Sequence, residues 1–314
     1  MSIFAATTFA MGTAFLPETY GPLLLQRRAR ILQASSSTLP DKPMRYYRSV
    51  HDISEKTAIK VLKTSMSRPF IFLFLEPIVV LLSFWVAYVY GTLYLFFAAY
   101  PLVFQSARPL GYGWDSGIGS LPFLGIGVGM IAGTCVSYYT DKRYVERMDA
   151  SSTKPPPEAR LPPACFGAVC LPVSLAIFAA NCNPSTHWIA PTLAGIPFGV
   201  GLILTFVSVL SYLIDTFGIH CASALAANSV LRALFGATFP LFATNMYNGL
   251  GFQWASGLLA FLALLCAPMP FLFYRYGAKI RSKSMFAPAR IEERSVCNVE
   301  SGPCIFNRVS QEAP

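Results

Sequence analysis

The sequence predicts an all-α membrane protein with six transmembrane helices. Three observations indicate this class: 54% of the 314 residues are hydrophobic, only 12% are charged, and the 24 lysines and arginines are unevenly distributed. Soluble domains usually contain about 25% charged residues. Here 22 of the 24 basic residues lie in three islands, at 17–69, 139–163 and 275–314, with almost uncharged segments between them. This alternation of basic and uncharged segments is typical of membrane proteins whose lysine- and arginine-rich loops stay on the cytosolic side.

A helix needs roughly 20 mostly apolar residues to cross a bilayer, and six segments of the sequence qualify. The chain starts on the cytosolic side at Arg68, crosses alternately, and returns to the cytosol at Arg275. The third span is the shortest. The predicted spans are 70–99, 117–138, 164–180, 188–214, 222–243 and 252–274.

The residues before these spans predict two further segments. Residues 1–16 are apolar but too short to cross comfortably, and no basic residue precedes them as in a signal peptide. We therefore expect the remnant of a preceding transmembrane helix that begins upstream. The predicted domains are this remnant (1–16), a cytosolic central loop (17–69) with amphipathic helices at 23–33 and 52–66, a six-span bundle (70–275) and a largely disordered cytosolic tail (276–314).

Composition argues against several classes of partner. The net charge of +9 needs no nucleic acid, because basic residues on one membrane face meet the anionic lipids of the cytosolic leaflet. The eight cysteines form no CxxC pair and the three histidines are far apart, so no metal site is expected. The sequence contains no set of a nucleophile and a base that would indicate an enzyme. The sequence therefore predicts membrane lipids as partners, and no nucleic acid, metal or cofactor.

Small residues and prolines within the spans predict close packing and hinges. Gly125, Gly129 and Gly133 recur at steps of four, so they share one helix face and allow a neighbouring helix to approach closely. A dinucleotide site is disfavoured because no strand precedes these glycines. Pro77 and Pro197 are candidate hinge positions, since broken helices recur at transporter binding sites. A merely tolerated kink is the alternative at Pro197.

Two ionisable residues lie clearly within the spans. A charge near the centre of a membrane helix costs at least about 2.5 kcal/mol, so Glu76 and Arg232 are candidates for substrate binding or proton coupling. The competing interpretation is a structural ion pair between them. Tyr88 and Asn228 are further candidates, as an aromatic and a polar contact. Tyr88 and Tyr90 cannot share one helix face.

Several short motifs lie at the span boundaries and within the spans. They are PETYGP (17–22), LEPI (75–78), GIGVG (125–129), PEARLPP (157–163), GIPFG (195–199) and ASALAAN (222–228). With these motifs, residues 1–287 resemble the fungal drug:proton antiporter branch of the major facilitator superfamily, which includes multidrug and polyamine transporters. The superfamily signatures of the first six helices have no counterpart in this sequence.

The resemblance implies a twelve-helix carrier, of which this chain is the C-terminal half: two inverted three-helix repeats plus the end of a preceding helix. It also implies proton-coupled efflux of a drug, polyamine or similar organic compound. The expected partners are that substrate, protons and a missing N-terminal half. By resemblance, Glu76 belongs to the family's seventh helix and Arg232 to its eleventh.

Two further expectations concern location and the state of this half. The resemblance implies a multi-pass protein of the plasma membrane whose central loop and C-terminus are cytosolic. We expect no transport by this half alone. The alternative is a truncated or regulatory membrane protein that transports nothing and associates with another carrier half. A channel is disfavoured because no repeated arginine pattern is present.

Overall fold

The structure is a computed structural model that describes residues 2–15, 21–36, 58–106, 111–150, 156–183, 186–282 and 284. These residues form ten α-helices and three short 3-10 turns, and no strand occurs among them. The predicted all-α class is confirmed. The helices are α1 (Ser2–Phe15), α2 (Gly21–Ser36), α3 (Ala58–Leu75), α4 (Pro77–Gln105), α5 (Phe123–Ala150), α6 (Pro162–Asn181), α7 (Ile189–Phe217), α8 (Cys221–Leu250), α9 (Phe252–Cys266) and α10 (Pro268–Arg281); the 3-10 turns are Ile118–Ser120, Pro157–Arg160 and Gly218–His220.

The chain divides into two units, residues 1–64 and 65–314. In the first unit, α1 has 14 residues with exposed apolar side chains, so it is shorter than a full span. Helix α2 covers the amphipathic helix expected at 23–33. Of the second expected helix, 52–57 lie outside the described residues, and α3 begins at Ala58.

Six helical segments of the second unit are long and apolar enough to cross a bilayer, as the sequence predicts. Each overlaps one predicted span, in the same order. The third has 20 residues and is the shortest of the six. The segments are Pro77–Gln105, Ile118–Arg147, Pro162–Asn181, Ile189–Phe217, Cys221–Leu250 and Phe252–Arg281.

The first span is interrupted at Glu76, directly before the candidate hinge position Pro77. Helix α3 ends at Leu75, Glu76 has extended backbone angles (φ −103°, ψ 101°), and α4 starts at Pro77. Proline is favoured at a first helical position because it lacks the N–H that would be unpaired there. The Glu76 carbonyl still accepts a hydrogen bond from Val80 N at 3.0 Å. The helix axis is therefore broken at Glu76 while main-chain bonding continues into α4.

The last span differs, because Ala267, between its two helices, keeps helical backbone angles (φ −54°, ψ −32°). Helix α9 ends at Cys266, and α10 starts at Pro268 and continues to Arg281. Residues 276–281 are therefore helical and continue α10 beyond the predicted bundle boundary at 275. The predicted disorder of 285–314 lies outside the described residues.

Aromatic rings of α4, α6 and α7 form the centre of the core. The ring of Phe96 lies 4.6 Å from that of Phe198 and 5.0 Å from that of Phe178, both edge to face. Tyr100 packs on Phe123 at 4.9 Å. Such aromatic pairs add about 0.5–1.5 kcal/mol each beyond the area that they bury. They hold α4, α6 and α7 together around fully buried side chains.

The glycine face of α5 lies against the main chain of α7. A Cβ added at Gly133 would lie 3.1 Å from Val200 Cα, and Cβ atoms at Gly125 and Gly129 would meet the carbonyl oxygens of Thr192 and Ile196. Only a residue without a side chain leaves room for this approach. The three glycines therefore fix α5 directly on the backbone of α7.

Helix α7 is continuous through Pro197. The flanking glycines of the GIPFG motif pack on α5: a Cβ at Gly195 would lie 3.0 Å from Ile126 N, and one at Gly199 would lie 2.7 Å from Met130 N. The structure thus accounts for both glycines by close packing. A hinge at Pro197 stays a prediction.

Candidate functional site

Helices α4 and α8 fit together through glycines and aromatic rings. A Cβ at Gly91 of α4 would lie 2.7 Å from the ring of Phe239. On α8, a Cβ at Gly236 would lie 3.3 Å from the rings of both Tyr90 and Tyr94. The small residues let the helices approach closely. This approach places the α8 residue one turn before Gly236 beside Tyr90.

That residue is Arg232. Its guanidinium carbon lies 4.8 Å from the ring centre of Phe206 and 5.5 Å from that of Tyr90, within the range of cation–π attraction. One terminal nitrogen donates to Ser229 Oγ at 3.0 Å. In the part of the chain that the structure describes, no carboxylate forms an ion pair with Arg232, and its Nε is buried without a hydrogen-bond partner.

A cavity of about 190 Å³ adjoins the two rings that Arg232 covers. Helices α4, α5 and α7 form its walls, and the surface that lines it is apolar. The Thr205 hydroxyl is buried and has no described partner. Complete ligand pockets have roughly 300–1,000 Å³. The cavity therefore has the size of part of a small-molecule site, with one cation at its edge.

Asn228 lies one turn before Arg232 on the same face of α8. Its side chain is fully buried, and Nδ2 donates to Ser83 Oγ of α4 at 3.2 Å. Its Oδ1 has no partner among the described atoms. Asn228 therefore joins α8 to α4 and keeps one acceptor free within the described structure.

The structure does not bring Tyr88 to Arg232. The Tyr88 hydroxyl donates to the Leu259 carbonyl oxygen of α9 at 2.6 Å, and its ring stacks on Trp85. Residues two apart on a helix differ by about 200° in direction, so Tyr90 faces the other way. Tyr90 and Phe206 are the aromatic site residues that the sequence analysis did not select. The opposition of Tyr88 and Tyr90 was predictable, but not which of them faces Arg232.

Glu76 lies at the break between α3 and α4. Its side chain is fully buried, and Oε2 accepts a hydrogen bond from Ser284 Oγ at 2.7 Å. One turn earlier, Phe72 packs edge to face on Phe217, the last residue of α7, at 5.4 Å. Glu76 therefore lies where the end of α3, the end of α7 and Ser284, just after α10, come together.

Glu76 and Arg232 belong to separate sites. Tyr90, which Arg232 covers, lies 14 residues after Glu76 in the sequence, or about 21 Å at 1.5 Å per helical residue. The carboxylate contacts Ser284, whereas the guanidinium contacts aromatic rings. The alternative of an ion pair between Glu76 and Arg232 is therefore wrong.

A second polar cluster surrounds Arg160, in the turn before α6. Its Nε donates to Asp215 at the end of α7, Nη1 lies 3.4 Å from Asp141 Oδ1, and the guanidinium carbon lies 4.1 Å from the Tyr144 ring centre. Burial alone would lower the pKa of Arg160, but the hydrogen bond and charge of Asp215 outweigh it and raise that pKa. The PEARLPP motif contains Arg160, but its partners are too distant in sequence for that motif to reveal them.

The same turn is tied to α10. An Arg281 terminal nitrogen lies 3.4 Å from the carboxylate of Glu158, which is largely buried. A Cβ at Gly277 would lie 2.9 Å from Glu158 Cγ, so this glycine makes room for the acidic side chain. The cluster therefore joins α5, α7 and α10 at one end of the bundle.

Comparison with known proteins identifies the family, although no family model matches the chain. The chain is 48% identical over 289 residues to the major facilitator superfamily multidrug transporter mdrA of Aspergillus fumigatus, a match that covers 91% of this chain and 46% of the relative. The chain belongs to the major facilitator superfamily. The MFS-type efflux pump MFS2 of Trichophyton rubrum is 47% identical over 289 residues, covering 91% of this chain and 47% of that relative.

A relative named for a biosynthesis cluster also matches the chain. The citrinin biosynthesis cluster MFS transporter mrr1 of Monascus ruber is 42% identical over 275 residues, covering 87% of this chain and 53% of that relative. The chain thus spans about half the length of the curated relatives that it matches. Its six candidate spans form the C-terminal half of the major facilitator fold, as the sequence resemblance predicts.

Proposed function

We propose that this chain is the second half of a proton-coupled efflux carrier for small organic compounds. The cavity beside Tyr90, Phe206 and Arg232 is the observation that supports this proposal best, because its apolar walls include two rings over which a half-buried cation lies. Superfamily carriers bind substrates near the midplane between their two halves. Relatives named multidrug transporter and efflux pump support the same function.

The small cavity supports a role that requires a second half. At about 190 Å³ it is smaller than a complete pocket for a small organic molecule. An opposing half supplies the other wall and the surface against which this half moves. The chain alone is therefore inactive in transport.

Glu76 is the group that we assign to proton coupling. It is a fully buried carboxyl group beside a helix break, and it accepts a hydrogen bond from the Ser284 hydroxyl. Gain or loss of a proton changes which hydrogen bonds a carboxyl group can make. Such a change at the α3–α4 junction alters the angle between these helices and so couples protons to movement.

The basic islands support an orientation with the central loop and the C-terminus in the cytosol. The island at 17–69 precedes the first span and the island at 275–314 follows the last one. Lysine and arginine near the membrane are retained on the cytosolic side. Anionic lipids of that leaflet are the partners of these residues.

The experiment that tests proton coupling uses a fusion of this chain to the first half of the Aspergillus fumigatus relative. We expect yeast cells that express the fusion to accumulate less of a fluorescent organic dye, and this effect to disappear when the membrane proton gradient is collapsed. Glu76→Gln should abolish the gradient-dependent part. Glu146→Gln, at an exposed position of α5, should leave it unchanged and is the matched control.

Two results would contradict the proposal. Dye accumulation that is the same with and without the fusion would exclude the efflux function. Full gradient-dependent efflux by the Glu76→Gln variant would remove Glu76 from coupling. Stable co-purification with a carrier half, without transport by the pair, would instead favour the regulatory alternative.

A further inference from the structure

The charge at the edge of the cavity indicates which compounds this site selects. Resting on the carrier function proposed above, we propose that the cavity beside Arg232 binds organic anions: compounds that join an apolar ring system to a carboxylate or sulfonate. Polyamines and other organic cations are disfavoured ligands. The inference depends on Arg232, Tyr90, Phe206 and the cavity that the two rings line.

The first step concerns charge balance. Arg232 is the charged group that lies over the cavity rings, and no described acidic residue pairs with it. Among the described carboxylates, Asp215 is paired with Arg160, and Glu76 lies about 21 Å away along α4. A cation at membrane depth without a counter-charge is costly. A bound anion would supply the missing charge.

The second step concerns hydrogen-bond donors. Arginine has five N–H donors in a planar fork, which matches the two oxygens of a carboxylate. The described structure uses one terminal nitrogen for Ser229 and leaves the buried Nε without a partner. The guanidinium carbon lies over the Phe206 and Tyr90 rings, and a guanidinium that stacks on an aromatic face keeps its N–H groups in its own plane. Stacking is therefore compatible with a bidentate bond to an anion.

The third step concerns the rest of the ligand. The cavity walls are aliphatic and aromatic, so they favour an apolar ring over a flexible polar chain. The lining surface has no polar part, so the guanidinium of Arg232 is the polar group that a ligand beside these rings would meet. A cationic ligand in the same place would lie close to Arg232 in a medium of low dielectric constant, where like charges repel strongly.

The test uses three ligands that share one ring and differ in charge: 2-naphthoate, 2-naphthamide and 2-naphthylmethylammonium. Binding to the chain in lipid nanodiscs is measured by isothermal titration calorimetry. We expect 2-naphthoate to bind at least about tenfold more tightly than the amide, the ratio that one charge-assisted contact provides. The ammonium compound should bind more weakly than either.

Variants identify the residue responsible. Arg232→Gln should bring the affinities for naphthoate and naphthamide within about twofold of each other, and Arg232→Lys should retain part of the preference because it keeps the charge without the fork. Arg275→Gln is the matched control, since Arg275 also lies over an aromatic ring, Tyr276 at 5.9 Å, but is exposed at the end of the bundle. It should leave the preference unchanged.

Equal binding of the three compounds by the unaltered chain, or no binding of naphthoate, would overturn the inference. A preference for naphthoate that survives Arg232→Gln would do so as well; if that variant does not fold, the lysine variant and the ligand series decide. Transport by the fusion separates the two proposals. Charge-selective binding without export contradicts only the carrier function, whereas equal export of all three compounds contradicts only the anion site.

Discussion

Ser284 and Glu76 form a hydrogen bond between residues 208 positions apart in the sequence, and both side chains are buried. A buried carboxyl group requires such partners, because leaving it unsatisfied costs more than a normal hydrogen bond contributes. The bond connects Ser284, just after the end of α10, to the helix break before α4. At the level of single residues, this contact connects the proposed coupling group to the end of the bundle.

Ser284→Ala should therefore lower the free energy of unfolding by about 1–2 kcal/mol, because Glu76 loses a donor. Ser282→Ala is the control, since Ser282 is exposed and its hydroxyl bonds only the nearby Lys279 carbonyl. A denaturation titration in mixed detergent micelles measures both. The cost of Ser284→Ala should shrink in a Glu76→Gln background if the two side chains are coupled. Equal costs in the two backgrounds would show that this hydrogen bond contributes nothing.

At the scale of elements, the contact of α5 with α7 depends on residues without side chains. A Cβ at Gly129 would meet the Ile196 carbonyl oxygen, whereas a Cβ at Gly127 would have no atom within 4 Å. The two glycines are two residues apart on one helix, so they differ in surroundings and not in helix propensity. They offer a direct comparison of packing with backbone effects.

Gly129→Ala should destabilise the bundle by about 1–3 kcal/mol, because overpacking forces the two helices apart. Gly127→Ala should be neutral or slightly stabilising, since alanine favours the helical state. Thermal unfolding in nanodiscs, followed by circular dichroism, measures the difference. If both variants lose the same stability, close contact of α5 with α7 is not what the glycines provide.

Hydropathy and charge predict which segments are helices, but not where those helices break. Prolines occur within several predicted spans, yet α7 continues through Pro197 and Ala267 before Pro268 stays helical, whereas the backbone is extended at Glu76 before Pro77. A proline always removes one donor; whether the helix then breaks depends on how neighbouring groups satisfy the freed carbonyl. That depends on packing between helices, which local sequence does not determine.

At the scale of the whole molecule, the sequence predicts the family and two ionisable residues of interest, but not how the site is assembled. Arg232 stood out as a charge within a span, whereas its contact Phe206 is one of many aromatic residues and lies on a different helix. The partners Arg160 and Asp215 are 55 positions apart, and the sequence analysis selects neither as a site residue. Contacts between residues on different helices can be recognised only when the packing of those helices is known.

The central claim is that the six-span bundle is half of a proton-driven carrier. The most direct measurement reconstitutes this chain, a first half from the Aspergillus fumigatus relative, or both into lipid vesicles, and follows organic substrate flux under an imposed pH gradient. The account predicts gradient-dependent flux only when both halves are present, and its loss on addition of a protonophore. Flux by the chain alone, or flux by both halves that persists without a proton gradient, would contradict it.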